Sequence, residues 1–305
     1  MSALDADREP RLATAAPPPA PEAPHLLYDR VAEASAALVI GHYSTSFGMA
    51  CRLLREPVRT HVRNIYALVR VADELVDAPR PDGSRATQAR LLDALEADAV
   101  AALRTGHSAN LVVHAFARSA RACGIGPELL SPFFESMRTD LFRAEHDQAS
   151  FDRYVHGSAE VVGLMCLRAF LVGRPGADAA YDALAPGARR LGAAFQKINF
   201  LRDLGADANG LGRRYFPGVD PHAFDDAVRD RLLDDIDADL AVSAVAVALL
   251  PADSRRAVWL AHGLFAELSR RMRRIPADQL RGQRVRVPDP VKARVLARSL
   301  LRTSR

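Results

Sequence analysis

The sequence is poor in lysine, in cysteine and in long apolar runs. Only two of its 41 cationic side chains are lysines, Lys197 and Lys292, so arginine carries almost all of the positive charge. The three cysteines are widely spaced and form no CxxC or Cys/His pattern, which excludes a zinc module and a disulfide-stapled scaffold. No segment reaches the roughly 18 apolar residues that a membrane-spanning helix needs. We therefore expect a soluble protein of a reducing compartment.

The start of the chain also lacks the features of an export signal. Acidic side chains stand at Asp5, Asp7 and Glu9, and no apolar stretch follows them. We therefore expect a cytoplasmic protein. The formal net charge of +4 is too small to indicate a nucleic-acid-binding protein.

Residues 1–24 differ in composition from residues 25–305. The first segment is rich in alanine and proline and almost without large apolar side chains, which predicts a disordered tail. In the second, apolar residues recur at three- and four-residue spacing, as in amphipathic helices. Glycine and proline divide it into about ten helices, one of them expected from Pro57 to about Asp77. No linker is long enough for a domain boundary, so we predict a single all-α domain.

One largely apolar segment, residues 65–77, carries four functional side chains on a single helical stripe. Steps of four, three and four residues separate Tyr66, Arg70, Asp73 and Asp77. Because their neighbours are apolar, Asp73 and Asp77 are expected to face inward, where two carboxylates would repel each other and be costly to desolvate. A divalent cation would relieve that cost. The alternative is a pair of acids on a solvated helix face.

The chain contains its own comparison for this spacing. Between residues 226 and 240 several aspartates also recur at steps of four, but an apolar stripe accompanies them: Val228, Leu232, Ile236 and Leu240. This stripe predicts a structural helix whose acids, Asp239 among them, face the solvent. Spacing alone is therefore weak evidence for a metal site, and the apolar surroundings of Asp73 and Asp77 carry more weight.

A second acidic stripe follows about 130 residues after the first. Asn199, Asp203 and Asp207 lie at four-residue steps, with Arg202 beside them. Oxygen ligands without histidine or cysteine favour Mg²⁺ over zinc. Two such helices facing each other would hold Mg²⁺ and a polyphosphate, and the nearby arginines would bind phosphate oxygens. A structural ion-pair network explains one such helix but explains two poorly.

These segments resemble the motifs of the squalene/phytoene synthase family, the helical enzymes that join two prenyl diphosphates head to head. In chain order they are similar to the N-terminal substrate motif, the first aspartate-rich motif, the segment with an active-site tyrosine, the second aspartate-rich motif with its following loop, and the C-terminal ending of bacterial phytoene synthases. The corresponding ranges are 43–47, 69–77, 154–163, 199–207 with 212–217, and 284–288.

The resemblance implies roles for individual residues. Mg²⁺, with Mn²⁺ as an alternative, would be bound by Asp73, Asp77, Asn199, Asp203 and Asp207. Phosphate oxygens would be contacted by Arg70, Arg202 and Arg213. Carbocations would be steadied, or a proton passed to the departing diphosphate, by Tyr66 and Tyr154. The substrate head would be contacted by Ser44 and Phe47, and its tail by Val162, Gly163, Leu191 and Gln196. Taken singly, Tyr154 could instead be a packed helix residue, Arg213 a solvated loop charge, and Val162 or Leu191 core.

The resemblance also implies a fold and a reaction. The fold would be an isoprenoid-synthase-type helical bundle around a central apolar cavity. The reaction would convert two geranylgeranyl diphosphates through prephytoene diphosphate to phytoene. No nicotinamide cofactor is expected, because the dinucleotide fingerprint is absent. A synthase that uses farnesyl diphosphate is the alternative enzyme, and a non-catalytic assembly factor is the alternative from another class. Phe265 departs from the pattern, since the family often has tyrosine there.

Charge is unevenly divided along the chain. Residues 255–305 hold 14 basic and 3 acidic side chains. This end could rest on anionic lipid, where an insoluble product must leave, or it could be ordinary solvated helix surface in an arginine-rich protein. A carotenoid desaturase is the partner expected to receive the product.

Overall fold

Thirteen α-helices and one π-helical turn make up the described part of the computed structural model, which comprises residues 23–78, 83–206, 213–220 and 223–301. These ranges contain no β-strand, so the predicted all-α class is confirmed. The helices are α1 (Pro24–Tyr43), α2 (Thr45–Cys51), α3 (Val58–Asp77), α4 (Arg85–Thr105), α5 (Leu111–Cys123), α6 (Pro127–Phe142), α7 (Gln148–Val155), the π-helical turn (His156–Glu160), α8 (Val161–Leu171), α9 (Ala177–Ala206), α10 (Asp226–Leu249), α11 (Ala252–Met272), α12 (Ala277–Leu280) and α13 (Asp289–Leu301).

Residues 1–22, which form most of the predicted tail, lie outside the described ranges. Helix α1 begins at Pro24, the last residue of the predicted tail, residues 1–24. None of the described helices is both long and apolar enough to cross a membrane.

Glycine and proline end and begin helices where the sequence predicts. Helix α3 starts directly after Pro57. Gly106 and Gly124 follow α4 and α5 with φ values of +79° and +69°, a left-handed conformation that glycine adopts readily because it has no Cβ. Ser44 divides α1 from α2 without any such breaker: its backbone is extended, and its Oγ accepts the amide of Phe47 at 3.0 Å. This cap accounts for one of the helices beyond the predicted ten.

The helices bury two apolar clusters. The first surrounds Ile65 and Leu68 of α3 together with parts of α4, α5, α6 and α8. The second surrounds Ile198 and Leu201 of α9 together with parts of α7, α10 and α11. Leu191 packs against both clusters, so the middle of α9 lies where the two meet.

Two glycines allow α9 to lie directly against α8 and the π-helical turn. A Cβ on Gly163 would lie 2.6 Å from the Ala188 carbonyl oxygen, and one on Gly192 would lie 2.4 Å from that of Ala159. Both distances are too short for any side chain. This contact ties the segment that follows α7 to the helix that carries the second acidic stripe.

The prediction that the acids of α10 face the solvent is wrong for Asp239. Its side chain is only 4% exposed and accepts hydrogen bonds from Lys197 Nζ at 2.8 Å and Arg190 Nη1 at 2.9 Å. The apolar stripe is also displaced, because Leu233 is fully buried while Leu232 is half-buried. Helix α10 packs along α9, and the two cations of α9 draw the carboxylate of Asp239 into that interface.

Candidate active site

The four side chains of the first stripe lie on helix α3, where Asp73 and Asp77 are half-buried, with 36% and 38% of their side chains exposed. Arg70 Nη1 donates to Asp73 Oδ2 at 3.0 Å and its Nη2 donates to Glu74 Oε2, while the guanidinium lies 4.5 Å from the centre of the Tyr43 ring. Desolvation, reinforced by the charge of Asp77, raises the pKa of Asp73 to about 7. A carboxyl group with so high a pKa is one whose negative charge the protein does not fully compensate.

Arg213, in the loop that follows α9, reaches back to the end of α3. Its Nη1 donates to Asp77 Oδ1 at 2.6 Å and its Nη2 donates to the Val76 carbonyl at 3.1 Å. The neighbouring amide of Arg214 donates to the Ala144 carbonyl at 2.7 Å. With a side chain only 8% exposed, Arg213 is not a solvated loop charge. It joins the loop of the second acidic motif to the helix of the first.

A buried carboxylate that the sequence analysis missed, Asp140 of α6, lies among these groups. The Tyr154 hydroxyl donates to its Oδ2 at 2.7 Å and the Tyr215 hydroxyl to its Oδ1 at 3.3 Å. Arg213 Nη1 is 3.8 Å from the same Oδ1. Desolvation raises the pKa of Asp140 to about 7, although Arg213 and the hydrogen bond from Tyr154 act in the opposite direction. The available signal was weak: Asp140 is one of three acids in α6, and only its position between Thr139 and Leu141, away from the exposed Glu128 and Glu135, distinguishes it.

A row of aromatic rings connects α2, α3, α9 and α11. The Phe47 ring is stacked with that of Tyr66, with centroids 6.1 Å apart, and meets Phe195 edge-on at 6.3 Å. Phe195 in turn stacks on Phe265 at 3.9 Å. Burial raises the pKa of Tyr66. The row places Phe47 between the helices that carry the two acidic stripes. Phe265 takes part in the row by ring stacking, which needs no hydroxyl group.

The described part of the second acidic stripe is held by arginines. Arg202 Nε donates to Asp203 Oδ1 at 3.1 Å, and Arg284 Nε lies 3.1 Å from the same oxygen. Asn199 lies one turn earlier on α9 and is half-buried. Asp207 lies outside the described residues. Arg284, which belongs to the predicted C-terminal motif, is thereby brought to the second stripe.

The residues predicted to contact the substrate tail lie on α8 and α9. Val162 and Leu191 are half-buried against the apolar core, which suits both a cavity wall and ordinary packing. Gly163 has a packing role at the contact between the two helices. Gln196 Nε2 donates to Ser158 Oγ at 3.4 Å.

The donor set fits Mg²⁺. Asp73, Asp77 and Asp203 offer hard carboxylate oxygens, and Mg²⁺ is commonly bound by one or two carboxylates together with substrate phosphates. The raised pKa of Asp73 marks a carboxylate that a cation would stabilise in its ionised form. Within the described ranges, which omit Asp207, no three or more His, Cys, Asp or Glu side chains form a group that could hold an ion by themselves.

Comparisons with known proteins agree with the motifs. The family model described as squalene/phytoene synthase matches residues 40–290. Phytoene synthase of Rhodobacter capsulatus is 31% identical over 255 residues, which cover 78% of this chain and 72% of the relative. Presqualene diphosphate synthase of Rhodopseudomonas palustris is 31% identical over 176 residues, 57% of this chain, and the match spans 58% of that relative's length.

The fold agrees as well. A crystal structure of a dehydrosqualene synthase in complex with ligand superposes with a TM-score of 0.73 at 21% identity, covering 92% of this chain and 99% of the other. The all-α architecture is therefore that of these synthases, and the resemblance read from the motifs is confirmed. The chain belongs to the squalene/phytoene synthase family.

Proposed function

We propose that this chain is a prenyltransferase that condenses two geranylgeranyl diphosphates head to head to phytoene, through prephytoene diphosphate, with release of diphosphate. Family membership supports the reaction class, and similarity to a phytoene synthase over 78% of the chain supports the C20 substrate. The observation that carries the proposal is the link between the two acidic motifs: Arg213, behind the second, donates to Asp77 of the first at 2.6 Å.

The polar end of the site would bind the diphosphates. Mg²⁺ would be held by Asp73, Asp77, Asn199, Asp203 and Asp207. When bound, it would stabilise the negative charge that develops on the departing diphosphate. Arg70 donates a hydrogen bond to Asp73, and Arg202 donates one to Asp203. Either guanidinium can also donate to phosphate oxygens when a diphosphate is bound.

The apolar end of the site would protect the allylic cation. Ionisation breaks the bond between C1 and the diphosphate oxygen, and the electrons leave with the diphosphate. The rings of Phe47, Tyr66 and Phe195 form a continuous row beside the acids, where their faces can attract a cation and their bulk excludes water. Tyr154 belongs to a separate group of rings, with Phe200 and Tyr215, and would contribute a polar group from the side of Asp140.

Two ionisations complete the reaction. In the first, the double bond of the second substrate attacks the C1 cation, and loss of a proton closes a cyclopropane ring that still carries one diphosphate. In the second, this intermediate loses its diphosphate, rearranges and loses a proton to give the hydrocarbon. No reductant enters this balance, which accords with the expectation that no nicotinamide cofactor is used.

A farnesyl-based synthase is the second candidate, supported by similarity to presqualene diphosphate synthase. Purified protein with Mg²⁺ should be supplied separately with geranylgeranyl and farnesyl diphosphate, and the extract analysed by mass. We expect a C40 hydrocarbon from the first substrate. A C30 product, or a cyclopropylcarbinyl diphosphate that accumulates, would favour the second candidate. No Mg²⁺-dependent product from either would favour a non-catalytic assembly factor.

The same assay distinguishes the loss of a metal-binding carboxylate from the loss of any one negative charge. Asp73→Asn should nearly abolish product formation, because it removes a carboxylate of the first motif while leaving the helix intact. Asp234→Asn is the matched control, since Asp234 also lies four residues from another aspartate, Asp230, but is 72% exposed on α10. Near-normal turnover by Asp73→Asn would contradict the proposed function.

We further propose that the C-terminal region rests on the inner face of the membrane and that the product passes to a carotenoid desaturase. Arg286, Arg294 and Arg298 are exposed, as an anionic surface requires. The protein should sediment with vesicles that contain phosphatidylglycerol but not with pure phosphatidylcholine vesicles. Loss of that difference after replacing the three arginines with glutamine would support this surface, and an unchanged difference would exclude it.

A further inference from the structure

We infer that Asp140 is a positioning residue that holds the hydroxyl proton of Tyr154, so that Tyr154 presents its oxygen lone pairs, and not its proton, to the reaction centre. The inference rests on the proposed function, in which Tyr154 lines that centre. It assigns Tyr154 the task of steadying a carbocation and leaves protonation of the diphosphate to other groups.

The shortest hydrogen bond on the Asp140 carboxylate comes from Tyr154. The hydroxyl of Tyr154 donates to Oδ2 at 2.7 Å. The other oxygen, Oδ1, accepts a hydrogen bond from the Tyr215 hydroxyl at 3.3 Å and lies 3.8 Å from Arg213 Nη1. Both partners are buried, with relative exposures of 4% for Tyr154 and 9% for Asp140. Water therefore does not compete for this hydrogen bond.

The other two groups near Asp140 have further partners, and Arg213 Nη1 donates to the Tyr215 hydroxyl at 3.3 Å. Arg213 donates to Asp77 and to the Val76 carbonyl, so it keeps its place without Asp140. Among the described residues, by contrast, Asp140 supplies the one hydrogen-bond partner of the Tyr154 hydroxyl. A change at Asp140 should therefore act chiefly through Tyr154.

The direction of the hydrogen bond decides what Tyr154 can do. At pH 8, about one unit above its pKa, Asp140 is mostly ionised and is an acceptor only, so the Tyr154 hydroxyl must be the donor and its proton is engaged. Burial, together with the neighbouring Asp140, raises the pKa of Tyr154 well above its ordinary value, so the hydroxyl keeps its proton. The remaining lone pairs carry partial negative charge, which stabilises a nearby cation.

A double-mutant cycle at pH 8 tests the inference. Asp140→Asn should lower kcat about 100-fold, as for a catalytic group misplaced by roughly 1 Å, with KM changed less than about threefold. In a Tyr154→Phe background the same substitution should change kcat less than about threefold, because the hydroxyl through which it acts is gone. Glu135→Gln, the same chemical change at an exposed position of α6, serves as the control.

A purely structural role would give a different result. The inference is overturned if Asp140→Asn is fully active, or if it lowers kcat by the same factor with and without the Tyr154 hydroxyl. Since wild-type activity is measured in parallel, these outcomes differ from failure of the proposed function, in which wild-type protein makes no product. Proton NMR gives a readout that needs neither turnover nor a folded variant at position 140. Wild-type protein should show a slowly exchanging hydroxyl proton that is lost in Tyr154→Phe, and its absence would overturn the inference.

Discussion

Replacing Arg213 with methionine should destabilise the protein, and more at pH 8 than at pH 5.5. The substitution keeps much of the side-chain volume but removes a guanidinium that is 8% exposed and pairs with Asp77 at 2.6 Å. Removing one partner of a fully buried ion pair typically costs about 3–5 kcal/mol. Asp77 is 38% exposed and solvent compensates part of its charge, so we expect about 2–3 kcal/mol here. For a domain of this size that cost corresponds to a fall in Tm of about 5 °C.

The pH dependence follows from Asp140. Folding raises its pKa from 3.8 to about 7, so the folded state binds the proton more tightly than the unfolded chain. The free energy of unfolding therefore falls as the pH rises through this interval. Arg213 opposes the rise, so its loss should shift the pKa of Asp140 further upward and add destabilisation at pH 8. This addition is at most about 1.4 kcal/mol, because pH 8 lies only about one unit above the wild-type pKa. At pH 5.5 Asp140 is mostly protonated in both proteins, and this contribution vanishes.

Urea unfolding followed by circular dichroism, in EDTA, measures both effects. Arg214→Met is a suitable control, because Arg214 is an exposed neighbour whose side chain pairs with the exposed Glu145. A loss of less than about 1 kcal/mol for Arg213→Met would refute the assignment of Arg213 as a buried link. An equal loss at both pH values would refute the coupling between Arg213 and Asp140.

Three further predictions concern the packing and the metal site. Gly163→Ala should lower the free energy of unfolding by about 1–3 kcal/mol in urea, because its Cβ would lie 2.6 Å from a carbonyl oxygen of α9; no loss would contradict the close contact. Lys197→Met should lower the same quantity by about 3 kcal/mol, because the buried Asp239 loses a partner; a change below about 1 kcal/mol would show that Arg190 compensates. MgCl₂ should raise the Tm of wild-type protein more at pH 8 than at pH 6, because protons compete for Asp73, whose pKa is about 7; an equal rise in Asp73→Asn would place the ion elsewhere.

The helical class and the first acidic stripe were predictable because they depend on local periodicity. Asp73 and Asp77 share one face of α3 simply because they are four residues apart, and their apolar neighbours indicate burial. Helix α2 was not predictable in the same way, since its start depends on the single hydrogen bond from the Phe47 amide to Ser44.

The parts of the site that were missed depend on contacts between distant segments. Asp140 is one of three acids in α6, and its importance appears only when Tyr154 and Arg213 fold against it. Arg213 read singly could be a solvated charge, and only its contact with Asp77, 136 residues away, shows otherwise. Asp239 was assigned to the solvent because its periodicity on α10 carries no information about the cations of α9.

The proposed reaction joins two substrates through their C1 carbons, so the position of the new carbon–carbon bond is the decisive observation. Geranylgeranyl diphosphate labelled with ¹³C at C1 should be incubated with the protein and Mg²⁺, and the hydrocarbon product examined by ¹³C NMR. We expect a one-bond coupling between the two labelled carbons at the centre of a C40 chain. A product without that coupling, such as a head-to-tail adduct or the free alcohol alone, would contradict it.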